Sequence, residues 1–214
     1  MKLLEIENLR FGYTRVSLII NDFNLTLHPE DIVLLEGPSG SGKSSLIHLI
    51  AGYLTPLGGK ITLLDHNLSK TSEYQIARLR RRIGIITQFG SLLKDINVID
   101  NVMMPLYIDG FSYEKAYPEA LNMLEKVGLK HKANSSILEL SGGEEQRVSI
   151  ARALVKNPSI ILADEATSSL DEENAENIFN LCLQMTRERR IPMIWASHDT
   201  RQRYLFNKII KMKN

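Results

Sequence analysis

The segment IVLLEGPSGSGKSSLIHLI, residues 32–50, decides the fold. It begins with four apolar residues, Ile32 to Leu35, typical of a buried strand, and ends with apolar residues at helical spacing, Leu46 to Ile50. Between them, Gly37 to Ser44 match the pattern G-x-x-x-x-G-K-[ST]. In that pattern the glycines let backbone N–H groups curl around phosphate oxygens at the positive end of the following helix. The segment therefore predicts a strand, a phosphate-binding loop and a helix.

The loop from Gly37 to Ser44, called the phosphate loop below, predicts a bound nucleoside triphosphate. Lys43 is expected to reach the β- and γ-phosphates, and Ser44 to ligate Mg²⁺. Kinases, GTPases and helicases share this pattern, so it does not identify the reaction, and a structural glycine turn is the alternative. The loop comprises Gly37, Pro38, Ser39, Gly40, Ser41, Gly42, Lys43 and Ser44.

A second apolar run, Ile160 to Ala163, is followed directly by two carboxylates, Asp164 and Glu165. Parallel sheets bind their ligands at the carboxyl ends of their strands. We therefore expect Asp164 to hold Mg²⁺, directly or through water. Glu165 is expected to polarise the water that attacks the γ-phosphate. A carboxylate pair that merely caps a strand is the alternative, and the upstream phosphate loop argues against it.

Composition restricts the class of protein. The chain has 214 residues, 43% of them hydrophobic and 24% charged, as in an ordinary globular domain. Its formal net charge of +1 makes nucleic acid an unexpected partner. The single cysteine cannot form an internal disulfide, which fits a reducing compartment. No run approaches the roughly 18 apolar residues that span a bilayer, so for work at a membrane we expect another chain to supply the membrane part.

The order of the patterns predicts an α/β protein with a parallel core. Alternating apolar and polar residues in 3–9 and 22–27 predict strands with one exposed face. From about 89 to 157 the pattern is mostly helical, which we interpret as an inserted helical lobe. No repeat or linker divides the chain, so one domain, 1–214, is expected. Further strands are predicted at 61–64, 83–87, 160–163 and 192–196, and further helices at 72–82, 98–107, 112–127, 144–155 and 172–187.

The segment LSGGEEQRV, residues 140–148, is called the signature segment below. It predicts the start of a helix, whose N-terminus is a second anion site; an ordinary helix cap is the alternative. The segment resembles the signature of ATP-binding-cassette proteins, and Ser141 stands 23 residues before Asp164, as in that family. The resemblance covers essentially the whole chain.

The resemblance implies an ATPase that uses ATP and Mg²⁺. It implies a P-loop NTPase fold with a RecA-like parallel-sheet core, a small antiparallel β-lobe and an inserted helical subdomain. It also implies a homodimer in which two copies associate head to tail around ATP. Each copy would offer Ser141, Gly142 and Gly143 to the γ-phosphate bound on the other.

The same resemblance implies roles for five further residues. Tyr13 is similar to the aromatic that stacks on adenine, and Gln88 to the glutamine that touches Mg²⁺ and the attacking water. His198 is similar to the histidine that contacts the γ-phosphate. Asp171 is similar to the aspartate that communicates across the dimer, and Ser45 belongs to the nucleotide-binding residues. Without the family pattern, Tyr13 would be interpreted as core packing, Gln88 as a turn amide and His198 as structural.

Two positions depart from the general family pattern, which has Gln at Glu144 and Pro at Ala166. Neither departure removes a group assigned to catalysis. Glu144 adds negative charge near an anion site, so we expect it either to weaken anion affinity in the opposite site or to face solvent.

The segments 82–106, 140–148 and 175–179 narrow the resemblance to a subgroup. They are similar to bacterial lipoprotein-releasing, macrolide-efflux and cell-division cassettes, and most similar to the lipoprotein-releasing ATPases. This implies a homodimer beneath transmembrane permease subunits that extract a lipidated protein. The chain would sit peripherally on the cytoplasmic face of the inner membrane and meet the membrane only through the permease. Nothing in the sequence identifies the cargo.

Cell-division or macrolide- and peptide-export cassettes remain alternatives, as does a soluble cassette unconnected with transport. The chain lacks the coiled-coil insertion, tandem cassette and basic stripe that a nucleic-acid role favours. Six apolar residues are expected either near the groove that receives a cytoplasmic helix of the permease or in the core of the helical lobe. They are Phe89, Leu92, Leu93, Met103, Met104 and Tyr107.

Overall fold

The computed structural model describes residues 2–14, 16–87, 92–198 and 202–212. The expectations for Gln88 and Phe89 therefore lie outside the described residues. Within them, no helix is long and apolar enough to cross a membrane.

A five-stranded sheet with every neighbouring pair parallel forms the centre of the fold. Apolar, β-branched runs form its inner strands, as expected for a sheet that is covered on both faces. In order across the sheet, the strands are β6 (Ile83–Thr87), β7 (Ile160–Asp164), β8 (Met193–Ala196), β3 (Ile32–Glu36) and β9 (Lys208–Lys211). The sequence did not predict β9.

A second, antiparallel sheet confirms the expected β-lobe. Its strands, in order, are β2 (Ile20–Leu27), β1 (Leu4–Phe11), β4 (Gly58–Leu63) and the short β5 (His66–Asn67), which was not predicted. Alternation holds in β1, where Leu4 and Ile6 are buried and Glu7 is exposed.

The helices confirm the expected helical insertion between β6 and β7. Two of them, α1 (Lys43–Ile50) and α2 (Glu73–Arg80), precede β6. Three lie between β6 and β7: α3 (Val98–Ile108), α4 (Tyr113–Lys126) and α5 (Gly142–Leu154). The last helix, α6 (Glu172–Arg189), joins β7 to β8.

The two faces of the parallel sheet belong to two hydrophobic cores. Along β7, Ile160 and Leu162 pack with the β-lobe and α1, whereas Ile161 and Ala163 pack with α3 to α6. This alternation follows from the pleat, which points successive side chains to opposite faces. The sheet is therefore held between two packed layers, which fix the positions of the carboxyl ends of its strands.

The six apolar residues of uncertain environment divide between core and surface. Leu92 and Met103 are buried in the core that contains the helical insertion, so for them the core interpretation is confirmed. Met104 is half-buried, and Leu93 and Tyr107 are exposed. Phe89 lies outside the described residues.

Asn101 on α3 is fully buried and holds the loop that leads into that helix. Its Oδ1 accepts the N–H of Leu93 at 2.8 Å, and its Nδ2 donates to the carbonyls of Leu93 at 2.9 Å and Asn97 at 3.0 Å. A buried polar group without a partner costs the free energy of its desolvation. The amide therefore fixes this turn of backbone.

We predict that Asn101→Leu lowers the free energy of unfolding by about 2–4 kcal/mol, because it leaves buried backbone groups without partners. Urea denaturation measures the change. Asn180→Leu, the same substitution on an exposed position of α6, is the control and should change stability by less than about 0.5 kcal/mol. Equal stabilities of the two variants would contradict the assigned role of Asn101.

Candidate nucleotide site

The phosphate loop connects β3 to α1 in a backbone conformation that depends on glycine. Gly40 has φ of 83° and Gly42, the N-cap of α1, has φ of 90°, in the left-handed region that favours glycine. A β-carbon at Gly42 would lie 2.8 Å from the side chain of Ile19. Glycine at these two positions lets a short connection turn from strand into helix with its N–H groups directed into the loop.

Two polar side chains of the loop fit a phosphate ligand. Lys43 is only 8% exposed, and its Nζ donates to the carbonyls of Gly37 at 2.7 Å and Pro38 at 3.1 Å. The ammonium is thus held at the loop. The buried hydroxyl of Ser41 has no hydrogen-bond partner, which fits a polar ligand because buried hydroxyls are normally paired.

The two carboxylates at the end of β7 differ in environment. Asp164 is buried, and its Oδ1 has no hydrogen-bond partner, which fits a cation or a bound water. Glu165 has φ of 48°, a left-handed conformation that is uncommon for a residue other than glycine. Its N–H donates to the carbonyl of Ala196 at 3.0 Å, which ties the turn to β8.

Glu165 and His198 contact one another although they are 33 residues apart. The Nδ1 of His198 lies 2.9 Å from Oε2 of Glu165. The imidazole is largely exposed, and the carboxylate is mostly buried. A carboxylate and an imidazole at hydrogen-bond distance can orient a water and share its proton.

Strand order explains how these residues meet. In the parallel sheet β8 lies between β7 and β3, so the phosphate loop, the carboxylates and His198 all follow carboxyl ends at one edge. Residues 39–44 of the phosphate loop, Glu165 and His198 line a cleft of 750 Å³ together with residues from the β-lobe, whereas Asp164 does not line it. The lining residues are Tyr13, Ile19, Ser39, Gly40, Ser41, Gly42, Lys43, Ser44, Ser45, Glu165, Ser168 and His198.

Tyr13 is 71% exposed at the rim of this cleft, so it is not a core residue. Its hydroxyl lies 3.2 Å from Oγ of Ser45, and its ring packs edge-on against Phe11 at 5.3 Å between centroids. A ring this exposed can stack on a planar base. Ile19 and Ser168 also line the cleft, although the sequence analysis assigned a role to neither.

The signature residues Ser141, Gly142 and Gly143 do not line this cleft. Ser141 is the N-cap of α5, and Gly142 and Gly143 begin the helix. The first N–H groups of a helix have no partner within it, so this terminus offers donors to an anion outside the chain's own cleft. Asp171, also outside the cleft, caps α6 by accepting the N–H of Asn174 at 3.0 Å.

Gln146 joins the signature helix to the edge of the sheet. This buried residue donates from Nε2 to the carbonyl of Thr87 at 2.9 Å and to that of Ala166 at 2.7 Å. Ala166, one of the two departures from the family pattern, is fully buried. The sequence did not predict this contact, because the bonds connect residues that are 59 and 20 positions apart.

The other departure, Glu144, is bound rather than solvated. Its Oε2 accepts the N–H of Ser141 at 2.8 Å, and its Oε1 lies 2.8 Å from Nζ of Lys132. With Ser141 Oγ accepting the N–H of Glu144 at 3.3 Å, the two residues form a capping box. The hydrogen bond from Lys132 is the largest cause, and the Ser141 N–H the next, of the low pKa of this carboxyl, about 2. Glu144 is half-buried and paired with Ser141 and Lys132, and its expected effect on anion affinity stays a prediction.

Comparison with known proteins identifies the family. Residues 20–168, well over half of the chain, match the family model described as ABC transporter. The chain belongs to the ATP-binding-cassette (ABC) transporter family. This ABC protein is 41% identical over 184 residues to the lipoprotein-releasing system ATP-binding protein LolD of Legionella pneumophila (strain Lens), a match that covers 86% of the chain and 81% of the relative. It is 38% identical over 201 residues to LolD of Hydrogenovibrio crunogenus, covering 92% and 87%.

Solved structures confirm the ABC ATPase fold expected from the sequence. The dimeric structure of MJ0796, described as a bacterial ABC transporter cassette, has a TM-score of 0.92 at 30% identity and covers 98% of this chain and 94% of that one. The same cassette is known as a dimer in a post-hydrolysis state with ADP and Pi, at the same similarity. The cassette cbiO1 of Clostridium perfringens, part of the complex cbiONQ, has a TM-score of 0.87 at 26% identity, covering 99% and 85%. This ABC protein is an ATPase.

The low pKa of Glu144 predicts a pH-dependent contribution to stability. Because the folded pKa of about 2 lies below the usual 4.5, the ionised carboxylate stabilises the fold above the unfolded pKa. That contribution disappears as pH falls toward 2. Glu144→Gln keeps a capping acceptor without charge. We expect the difference in free energy of unfolding between wild type and Glu144→Gln to be constant from pH 6 to 8 and smaller by about 1 kcal/mol at pH 3.5. Urea denaturation at each pH tests this, and a difference that does not change with pH would contradict it.

Proposed function

We propose that this chain is the ATP-hydrolysing subunit of a transporter that releases lipoproteins from the inner membrane. The proposal rests on one observation, the cleft that brings the phosphate loop together with Glu165 and His198. The LolD relatives, matched over more than four fifths of their length, support the choice of lipoprotein release. The whole chain, 1–214, then acts as one nucleotide-binding domain, with residues of about 89–157 as its helical subdomain.

ATP binds with its phosphates in the phosphate loop and its base toward Tyr13. Lys43, already held at the loop by two carbonyls, transfers its hydrogen bonds to the β- and γ-phosphates. The N–H groups of the loop and of the first turn of α1 stabilise the same oxygens. Tyr13 stacks on adenine, and Ser45 keeps its ring in place through the hydrogen bond between their hydroxyls.

Ser44, Asp164 and Gln88 are the proposed Mg²⁺ ligands. The buried, unpaired Oδ1 of Asp164 supports this assignment. No group of three His, Cys, Asp or Glu residues that could hold a metal occurs in the part of the chain that the structure describes. Mg²⁺ commonly binds through one or two protein oxygens, substrate phosphates and water. When bound, it neutralises charge on the β- and γ-phosphate oxygens.

Glu165 orients the attacking water and accepts its proton. The left-handed backbone at Glu165 and its hydrogen bond to β8 fix the direction of the side chain. His198 holds the carboxylate through Nδ1 and contacts the γ-phosphate with its other ring nitrogen. The two side chains therefore act as one unit for proton transfer and charge stabilisation.

Hydrolysis requires a second copy of the chain. The N-terminus of α5, with Ser141 as N-cap and Gly142 and Gly143 in its first turn, lies outside the chain's own cleft, so it completes the cleft of a partner copy in a head-to-tail ATP sandwich. Asp171 lies near that boundary and communicates across it. The homodimer engages transmembrane permease subunits, and through them the chain sits on the cytoplasmic face of the inner membrane.

We predict that Glu165→Gln binds ATP, loses at least about a hundredfold in turnover and accumulates as a dimer in MgATP. Removal of the base stops hydrolysis but leaves the phosphate contacts intact. Analytical ultracentrifugation and phosphate release measure the two effects. Glu119→Gln, on an exposed position of α4, should behave as wild type.

Adding Lys43→Ala to Glu165→Gln should abolish this dimer, because nucleotide affinity itself is lost. A Glu165→Gln protein that stays monomeric in MgATP would contradict the sandwich. A dimer that persists with Lys43→Ala would show that nucleotide does not hold the copies together.

Reconstitution with a candidate permease and a lipidated protein in proteoliposomes tests the transport function. We expect a stable complex, and ATP-dependent release of the lipoprotein to a soluble acceptor that Glu165→Gln abolishes. Glu119→Gln is again the control. A complex that hydrolyses ATP without releasing lipoprotein would overturn lipoprotein release and favour a cell-division or export role.

A further inference from the structure

The donor groups of Ser141 are already engaged within the chain. Its N–H donates to Oε2 of Glu144 at 2.8 Å, and its hydroxyl donates to the same oxygen at 3.0 Å. A carboxylate therefore lies directly at the N-terminus of α5. This is the terminus that the proposed sandwich offers to a γ-phosphate, and two anions at one site repel each other.

Lys132 compensates that charge. Its Nζ lies 2.8 Å from Oε1 of Glu144, and the two side chains are only 29% and 18% exposed. Partial burial reduces screening by water and salt, so this pair interacts more strongly than a fully exposed one. One carboxylate oxygen of Glu144 thus accepts hydrogen bonds from Ser141, and the other pairs with Lys132.

The backbone holds Lys132 in place for this contact. Lys132 ends a short 3-10 helix, Lys130–Lys132, and its N–H donates to the carbonyl of Leu129 at 3.0 Å. Leu129 and Ala133, on either side of this helix, are both buried in the core. The ammonium group is therefore presented from an anchored turn rather than from a free loop.

We propose that Lys132 is a positioning residue of the ATP sandwich. It neutralises Glu144 and keeps its carboxylate in the capping box with Ser141, so that the γ-phosphate of a second copy binds the N–H groups of Gly142 and Gly143 at the N-terminus of α5. This inference rests on the proposed head-to-tail dimer. Without Lys132, the carboxylate faces the phosphate uncompensated. Without both charges, the helix terminus again has no net charge from these two side chains.

A purely structural role makes a different prediction. If the pair only stabilised the start of α5, loss of Lys132 would lower the stability of the monomer. Removal of the Glu144 charge would then not restore ATP-dependent dimerisation. A double-mutant cycle therefore separates the two roles: only the positioning role predicts that removing the charge of Glu144 restores the dimerisation that is lost with Lys132.

The test uses the hydrolysis-deficient Glu165→Gln protein as its parent. The measured quantity is the MgATP concentration that gives half-maximal dimer in analytical ultracentrifugation. We expect Lys132→Met to raise this concentration at least about tenfold, as a charge interaction of this kind predicts, and Glu144→Gln not to raise it. Lys132→Met with Glu144→Gln should return to within about threefold of the parent, because the net charge at the terminus is then restored.

Lys130→Met is the matched control, since Lys130 lies in the same 3-10 helix but pairs with Glu125 at 3.1 Å, where both side chains are at least half exposed. It should dimerise as the parent does. Thermal unfolding and fluorescent-nucleotide binding to the monomer establish that each variant folds and binds ATP.

A Lys132→Met protein that dimerises like its parent would overturn the inference while leaving the sandwich intact. The same holds if the double variant is no better than Lys132→Met. A parent that fails to dimerise in MgATP while its monomer binds nucleotide would overturn the sandwich itself, and the inference with it.

Discussion

The parallel alignment of β7, β8 and β3 is the constraint on which the rest of the structure depends. Parallel strands end at the same edge, so residues that follow different strands become neighbours irrespective of their separation in the chain. Asp164 ends β7 and Glu165 follows it, His198 follows β8, and the phosphate loop follows β3. A change in strand order would separate the carboxylate from the imidazole even if every motif were preserved. The packed layers on both faces of the sheet keep this edge rigid.

The local conformation at this edge depends on two backbone features of different origin. At Gly42 the left-handed conformation is accommodated by the lack of a side chain, and it allows a loop to become a helix within one residue. At Glu165 a similar conformation is imposed on a residue with a long side chain. There the hydrogen bond to β8 and the buried Ala166 that follows hold the backbone in place. The strained backbone conformation thus occurs at Glu165, the residue whose side chain contacts His198.

Local patterns were sufficient to predict most of the fold and of the cleft. The phosphate loop, the run before Asp164 and the signature segment each carry their structure in adjacent residues, because glycine conformation and apolar runs act over short distances. The short strands β5 and β9 were missed since they are defined by pairing; the four residues of β9 join β3 from about 175 positions away. The contacts of Gln146 and the pair of Lys132 with Glu144 were missed for the same reason. Gln88 was predicted as a ligand from the family resemblance and stays a prediction.

The amide of Gln146 has a consequence for how two nucleotides are used. In the proposed dimer, each copy has its Glu165 at its own nucleotide and its α5 at the nucleotide of the other copy. Gln146 belongs to α5, and it binds the backbone directly after the Asp164–Glu165 pair and at the end of β6. A rotation of α5 in the proposed dimer would therefore displace the backbone beside the chain's own Glu165. In that dimer, this one side chain would link the helix that faces one nucleotide to the carboxylate pair beside the other.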